Sequence, residues 1–495
     1  MKDLPKRIRT YYDSHPLAVI LIVAALLRLV SVIFSRGYGM HDDHFCVIEV
    51  AQRWLDGYGD WFGQSDSLRS IIYPGLHYLL FGFLERIGIF NPQVKMGIVR
   101  FLHGAYSLLI VYFGYRITLK ISDRRSAALA GWMCAAFWLM PFMSVRNLIE
   151  FVCIVPLMAG TWVLYRDDRG GNLSTFIAGL LFGVAFVFRF QAAIFAVTVT
   201  LLLVIGRHWR RGIMFSAGAL AAAFLIQGVS DWFAYGFAFS SLIEYIRYNS
   251  TSAGAYVVGS WHQYISLLLG IFIPPVSIMI MYGWIAGWKK HALIFWPSLV
   301  YFVLHSLYPG KQERFILPVV PFIIIGGIAG WRASKLCERL MRMRPGLLHG
   351  FWVWFWVING ILLAISMPTY VKKARCETLS RIWHDHDAQA IVLEGNTSPA
   401  PKFYVDTKIP VYYIDNPDDI ETAKAAMDSA GVVPNYLICV GEDNLEARLD
   451  RLGGLFSDIA LESRVTPGIL DALLHAINPK FNKNFASTVY KVRYP

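Results

Sequence analysis

The 495-residue chain is 56% hydrophobic, 15% aromatic and only 16% charged, a balance that excludes both an ordinary water-soluble enzyme and a disordered segment. Its formal charge of +12 is not a nucleic-acid footprint, because the basic residues sit in short loops between long apolar runs, which is a membrane-topology signal. Six cysteines without a CxxC pair indicate neither a disulfide framework nor a zinc site.

In chain order, a basic stretch at 1–9 precedes an apolar run at 17–34. The continuation SVIFSRGYGM offers no small-residue cleavage site, so this run reads as an uncleaved signal anchor. Further apolar runs lie near 95–119, 127–142, 147–165, 173–189, 190–206, 213–231, 263–287, 292–308, 315–331 and 349–368. Placing the basic loops 1–9, 120–125, 166–169, 207–211, 289–291 and 332–344 in the cytoplasm gives about 11 crossings, with the N-terminus inside and the C-terminus outside. Segment 71–90 carries Pro74, Glu85 and Arg86 and would break that parity, so it is expected to be re-entrant or interfacial.

The expected fold class is a polytopic α-helical membrane protein, residues 1–368, with outer loops at 35–94, 232–262 and 309–314. Residues 369–495 change character: AIVLEG, VYYID and YLICVG alternate with polar stretches at 416–429 and 442–451, which predicts a small extracytoplasmic α/β domain. It has no Gly-rich phosphate fingerprint and is assigned no catalytic role.

Four ionisable residues, His41, Asp42, Asp43 and His44, follow the first apolar run directly. From Phe45 onward, Phe45, Ile48, Ala51 and Leu55 alternate at helical spacing with Glu49, Gln52, Arg53 and Asp56, predicting a short amphipathic helix on the membrane surface. The acids are then either a simple N-terminal cap of that helix or one half of a site whose other half is the arginine of LRSIIYPG, Arg69.

These residues resemble a known family. HDDHF, a Gly-Tyr-Gly and RSIIYP are similar to the His-Pro-Asp-Glu-His-Phe and Arg-Ser-x-x-Tyr-Pro signatures of glycosyltransferase family 22. Asp231, Trp232, Phe233, Tyr235 and Gly236 resemble its Asp-Arg-x-x-Tyr-Gly loop. GSWHQY at 259–264 and YPGKQERFILPVVP at 308–321 resemble its Trp-His-Trp-Tyr and Lys-Glu-x-Arg-Phe-x-x-Pro segments. The likeness covers roughly residues 15–335, with Met40, His41, Asp43, Gly310 and Gln312 departing from the family pattern. The departure at Gly310 bears on donor identity more than on reaction type.

The resemblance implies a GT-C fold and transfer of mannose or a related hexose, with inversion, from a polyprenyl- or dolichyl-phosphate donor to a hydroxyl of a glycolipid or lipid-linked glycan. Asp42 is the implied base, with Asp43 positioning the acceptor. Lys311, Arg314, Arg69 and Arg189 are the candidate donor-phosphate ligands; for Arg189 the alternative is a tight outer turn between two short spans. His44, Trp261, His262 and Tyr264 are candidate substrate-positioning residues, the aromatic ones being equally at home in an interfacial belt. No cofactor, metal or nucleic acid is implied; the expected partners are the lipid-linked donor, the acceptor and membrane lipids.

Two other readings stay open: a lipid or glycan transporter, which would place ionisable residues near the bilayer midplane, and a GT-C enzyme with another sugar or with a lipid A or protein acceptor. A bacterial inner membrane with a periplasmic active site is expected; the alternative is the endoplasmic reticulum lumen, for which the sequons at Asn249 and Asn396 are compatible features.

Overall fold

The computed structural model describes residues 10–58, 69–167, 170–251, 258–395, 398–416, 418–480 and 482–495. Two compact units emerge. One comprises residues 1–32, 62–73 and 100–367; the other gathers 33–61, 74–99 and 368–495.

The first unit is helical. Among the described residues, six helices are long and apolar enough to cross a membrane: Pro16–Phe34, Pro92–Ile121, Ile149–Arg166, Trp209–Tyr235, Glu313–Ala333 and Pro345–Ser366. The other five expected spans are shorter, bent or broken. Asn172–Phe188, Phe190–Ile205 and Ala292–Leu307 are short apolar helices, and Gln263–Ile271 with Val276–Ala286 forms a pair bent by 119°. The run at 127–142 is interrupted, since helix Arg124–Ala136 stops at an extended Phe137 before Leu139–Ser144 begins.

That interruption frees backbone groups which hydrocarbon cannot satisfy. Two polar side chains from other helices supply the partners. Arg28, buried in the first apolar helix, donates through Nη1 to Ala135 O at 2.8 Å and through Nη2 to Cys134 O at 3.0 Å. Asn359 donates to Ala136 O and accepts from Trp138 N, both at 2.8 Å. Burial of Arg28 lowers its solvation, and the oriented carbonyls and Ser107 Oγ, at 2.8 Å from Nε, replace the lost water.

Close backbone approach fixes another helix pair. A Cβ on Gly330 would lie 1.9 Å from Gly283 O, and one on Gly283 would lie 2.0 Å from Gly327 O, so helices Val276–Ala286 and Val320–Ala333 meet at glycine-only contacts.

The second unit is built on a five-stranded sheet: β1 (Ile391–Glu394), β2 (Val411–Ile414), β3 (Tyr436–Val440), β4 (Asp458–Val465) and β5 (Ser487–Arg493). Its order is β2-β1-β3-β5-β4, with β1 parallel to β2 and β3, and β5 antiparallel to β3 and β4. The three strands expected from the sequence are β1, β2 and β3; β4 and β5 are additional. Alternation of side chains along the strands separates two cores. Ile391, Leu393, Tyr436, Ile438 and Val489 pack with Ile48, Ala51, Phe81, Leu84, Leu379 and Ile382. Val392, Leu437, Cys439 and Tyr490 pack with Ala423, Met427, Leu452 and Phe456.

The outer-loop helices therefore form one layer of this sheet domain. Helix Glu49–Asp56 does not lie on a lipid surface as its pattern suggested: its polar face is buried too, with Glu49 Oε1 accepting from Phe403 N at 2.8 Å and Gln52 donating to Asp56 and Glu85, each at 3.0 Å. A buried polar face paired this way looks amphipathic in sequence while facing protein on both sides. Segment 71–90 forms helix Ile72–Arg86, which buries Phe81 and Leu84 in the core and exposes Leu79 and Phe83.

Gly330→Ala is expected to destabilise the protein by about 1–3 kcal/mol or more through backbone overlap. Gly360→Ala, at a helical site where an added Cβ meets nothing within 4 Å, is expected to be neutral or stabilising. Thermal melts of the two variants in detergent check the contrast.

Candidate active site

In the helical unit, charge collects at a helix break. Helix Asn172–Phe188 ends at Arg189, whose extended backbone (φ −145°, ψ 110°) separates it from the turn at Phe190–Ala192. Arg189 is thus the turn residue between two short spans, but its side chain is buried. Nη1 donates to Glu150 Oε1 at 2.5 Å, Nε donates to Tyr301 Oη at 2.9 Å, and the guanidinium lies 5.2 Å from the Phe315 ring centroid.

Glu150, 1% exposed, sits in the first turn of helix Ile149–Val152. The same Oε1 lies 3.6 Å from Arg314 Nε, and Arg314 Nε also donates to Gln312 Oε1 at 2.8 Å. Arg69 adds a third positive charge to the electrostatic environment of Glu150. One carboxylate thus pairs with two buried guanidinium groups, with a third, half-buried one acting on it through charge. Among the described residues, Glu150 Oε2 and Arg189 Nη2 are buried without a hydrogen-bond partner. The orphan Nη2 is a donor that an acceptor oxygen of an anion can satisfy, and the orphan Oε2 calls for a hydroxyl or other donor.

Lys311 sits close by with a different task from the direct phosphate contact expected of it. Its ammonium donates to His305 O at 2.8 Å, to Ser306 O at 2.6 Å and to Tyr308 O. All three N–H groups are spent on carbonyls at the end of helix Ala292–Leu307, where a cation complements the helix dipole. Burial pushes the ammonium pKa down.

Tyr264 likewise departs from a sugar-lining role. It is fully buried, with its hydroxyl donating to Gln312 O at 2.9 Å and accepting from Gln312 N at 3.2 Å, and so pins the backbone that presents Arg314. Trp261 and His262 are exposed and make an edge contact with ring centroids 5.6 Å apart. The Asp231 motif is structural: its carboxylate accepts from Gln227 Nε2 at 2.8 Å and from Ser241 N and Oγ at 3.0 and 2.6 Å, ahead of a left-handed Gly236. Tyr73 of the RSIIYP motif bonds His103 and Asn147, both at 2.7 Å.

In the sheet-containing unit, Asp42 and Asp43 occupy the second and third positions of the turn His41–Asp43, with Met40 at the N-cap. The capping position is therefore not theirs. Asp43 is buried and Asp42 is half-buried. A π-helical turn, His44–Ile48, joins them to helix Glu49–Asp56.

His44 was named above as a candidate substrate-positioning residue. It is stacked between Tyr38 (centroids 4.6 Å apart, planes at 16°) and Tyr404 (5.5 Å, 10°), and its Nε2 faces Glu49 Oε1 at 3.3 Å. His41 packs on Phe45 at 4.3 Å, so the two histidines serve separate contacts.

Asp42 lies close enough to Lys372 and His41 to favour the protonated form of each. Lys372, at a left-handed position ahead of helix Lys373–Asp385, holds its ammonium 4.2 Å from the Tyr38 ring centroid. Burial pushes its pKa down to about 8.

Glu150, Tyr301, Glu49 and Lys372 were not singled out by sequence reasoning. A signal existed for Glu150, a lone acid in an apolar run. None existed for Lys372, which lies hundreds of residues from Asp42 and is brought near it by the sheet domain.

A helical membrane protein with a polar helix break and an appended sheet domain is the architecture of the GT-C class. The crystal structure of ArnT from Cupriavidus metallidurans bound to undecaprenyl phosphate matches over 95% of this chain and 97% of that one, with a TM-score of 0.59 at 12% identity. The apo oligosaccharyltransferase of Archaeoglobus fulgidus matches over 87% and 70%, with a TM-score of 0.56 at 10% identity. At these identities the likeness is one of fold.

The sequence places the chain more narrowly: residues 19–392 match the Alg9-like mannosyltransferase family, and the chain belongs to it. Similar members include mannosyltransferase APTG1 of Arabidopsis thaliana, 24% identical over 324 residues, or 62% of this chain and 57% of that protein. Alpha-1,2-mannosyltransferase ALG9 of Homo sapiens is 23% identical over 356 residues, 66% and 56% of the two. The chain spans a little over half the length of the curated relatives it matches.

Lys372 generates a pH prediction. Unfolded, its ammonium keeps its proton to about 10.5; folded, only to about 8. Between these values the unfolded chain binds more protons, so stability rises with pH across this window. The gain in wild type relative to Lys372→Met is expected to be on the order of 2 kcal/mol, read as the difference between their melting profiles from pH 7.5 to 10.

Proposed function

We propose that this chain transfers mannose, or a related hexose, from a polyprenyl- or dolichyl-phosphate donor to a hydroxyl of a glycolipid or lipid-linked glycan on the extracytoplasmic side, with inversion. The observation that carries the proposal is the buried helix break where Arg189 and Arg314 converge on Glu150 and Arg189 Nη2 is left without a hydrogen-bond partner among the described residues. A phosphate leaving group offers acceptor oxygens to that buried guanidinium N–H. Supporting it are the family's mannosyltransferase members and the undecaprenyl phosphate and dolichol-phosphate named with the fold neighbours.

In this mechanism Asp42 accepts the proton of the attacking hydroxyl. The hydroxyl oxygen bonds to the anomeric carbon from the face opposite the phosphate, the bond from that carbon to the phosphate oxygen breaks, and the lipid phosphate leaves with the electron pair. Asp43 positions the acceptor. Arg314, Arg189 and Arg69 bind the departing phosphate, while Lys311 acts through the helix end it caps. Trp261 and His262 contact the substrate. Residues 1–368 carry the catalytic groups, and 369–495 scaffold the acidic turn through the shared core.

The compartment is proposed to be the periplasmic face of a bacterial inner membrane. The lumenal alternative gains little from Asn249, whose side-chain amide donates to Tyr245 O at 2.7 Å inside helix Ser240–Thr251; Asn396 lies outside the described residues.

Full-length protein in proteoliposomes, given radiolabelled polyprenyl-phosphate mannose and crude glycolipid, tests the reading. Wild type should transfer label, and Asp42→Asn should lose about 100-fold or more. Arg314→Gln should raise the KM for the donor and lower kcat. Equal transfer by Asp42→Asn removes the base assignment. Failure of wild type with mannose and with every other lipid-phosphate hexose removes the reaction class.

A further inference from the structure

A cavity lies within the helical unit, at its basic end. It measures about 280 Å³, and its walls include Leu129, Ile280, Ile328 and Leu348, with Arg125 and Arg332 at the rim. The lining comes from five helices, Arg124–Ala136, Val276–Ala286, Val320–Ala333, Lys335–Met343 through Cys337 and Met341, and Pro345–Ser366. The cavity is therefore a product of packing, and its apolar lining belongs at bilayer depth.

The rim has the opposite character. Arg125 is exposed and has no hydrogen-bond or ion-pair partner among the described residues. Arg332 donates from Nε to Asp123 Oδ2 at 3.1 Å and from Nη1 to Met341 Sδ at 3.4 Å. Beside the opening runs helix Lys335–Met343, capped by Ser334. It buries Cys337 and carries Lys335, Arg339 and Arg342 against the single acid Glu338. Leu336 and Met341 on the same helix stay exposed, which is the pattern of a basic helix lying in a lipid interface.

We propose that this cavity is a structural binding site for one anionic phospholipid of the leaflet on the basic, cytoplasmic side. The acyl chain occupies the apolar slot, and the headgroup phosphate sits at Arg125 and the outer face of Arg332. The argument is charge complementarity joined to an apolar slot open to the same surface. A zwitterionic lipid fits the slot but brings its own cation to the arginine rim, and a soluble phosphate satisfies the rim but not the slot. The site is separate from the Glu150 cluster and stands or falls independently of the transfer reaction.

Native mass spectrometry of the full-length protein, released from micelles containing phosphatidylglycerol or phosphatidylcholine of identical acyl chains, reads occupancy directly. Wild type should retain one phosphatidylglycerol with a preference of at least about tenfold over phosphatidylcholine. Arg125→Ala should bring the two lipids to within about twofold. Leu348→Trp and Leu129→Trp, which fill the slot from different helices while leaving the charges in place, should each remove the retained lipid. Their melting profiles verify that they fold, and a variant that does not is set aside in favour of the other. Equal retention of both lipids by wild type, undiminished preference in Arg125→Ala, or undiminished retention in a folded slot-filling variant each overturns the proposal.

Discussion

A carboxylate buried among guanidinium groups organises the helical unit. Glu150 alone among apolar helices would be expelled or neutralised; with Arg189 at 2.5 Å and Arg314 at 3.6 Å it stays charged and, in doing so, fixes where two arginines from distant stretches can rest. Tyr301 and Gln312 take further guanidinium N–H groups, and Tyr264 holds the Gln312 backbone from the other side. The result is a pair of guanidinium groups held in fixed positions at the helix break. In the proposed reaction such pre-positioning matters for phosphate departure, because dipoles and charges already in place need no reorganisation as the leaving group gains charge.

The same logic of compensation operates where the membrane helices are interrupted. The break after Ala136 leaves carbonyls that lipid cannot satisfy, and Arg28 and Asn359 supply donors from other helices. Each polar residue would be unfavourable alone in hydrocarbon, and each break would be unfavourable without it. Intramembrane charge here is therefore compatible with a static, structural role and does not by itself indicate transport. Glycine contacts such as Gly283 to Gly330 act in parallel, bringing backbones together where no side chain fits.

The second unit shows how a loop acquires rigidity. The turn bearing Asp42 and Asp43 continues into a helix that is one layer of the sheet domain, with Ile48 and Ala51 packed against strand residues and Glu49 bonded to the Phe403 backbone. The base proposed at Asp42 would benefit from such support, since sites mounted on packed elements hold their geometry better than sites on free loops. The sheet domain thereby has a mechanical relation to the acidic turn without contributing a catalytic motif.

The membrane class, the approximate position of most spans, the first three strands and the arginines of the polar break could all be read from the linear pattern, because apolar run length, strand-sized segments and motif order are local properties. What individual residues do was decided by folding. Lys311 and Tyr264 match family positions, yet their donors are taken by backbone carbonyls, and only the path of the loop determines that. Glu49 and Gln52 read as a solvated face until the sheet packs over them. Glu150 finds Arg189 and Arg314, and Lys372 finds Asp42, across intervals no sequence window spans. Pairing of buried charge is a long-range event, set by which helices and strands become neighbours, so the residues were nameable from sequence while their partnerships belonged to the tertiary structure.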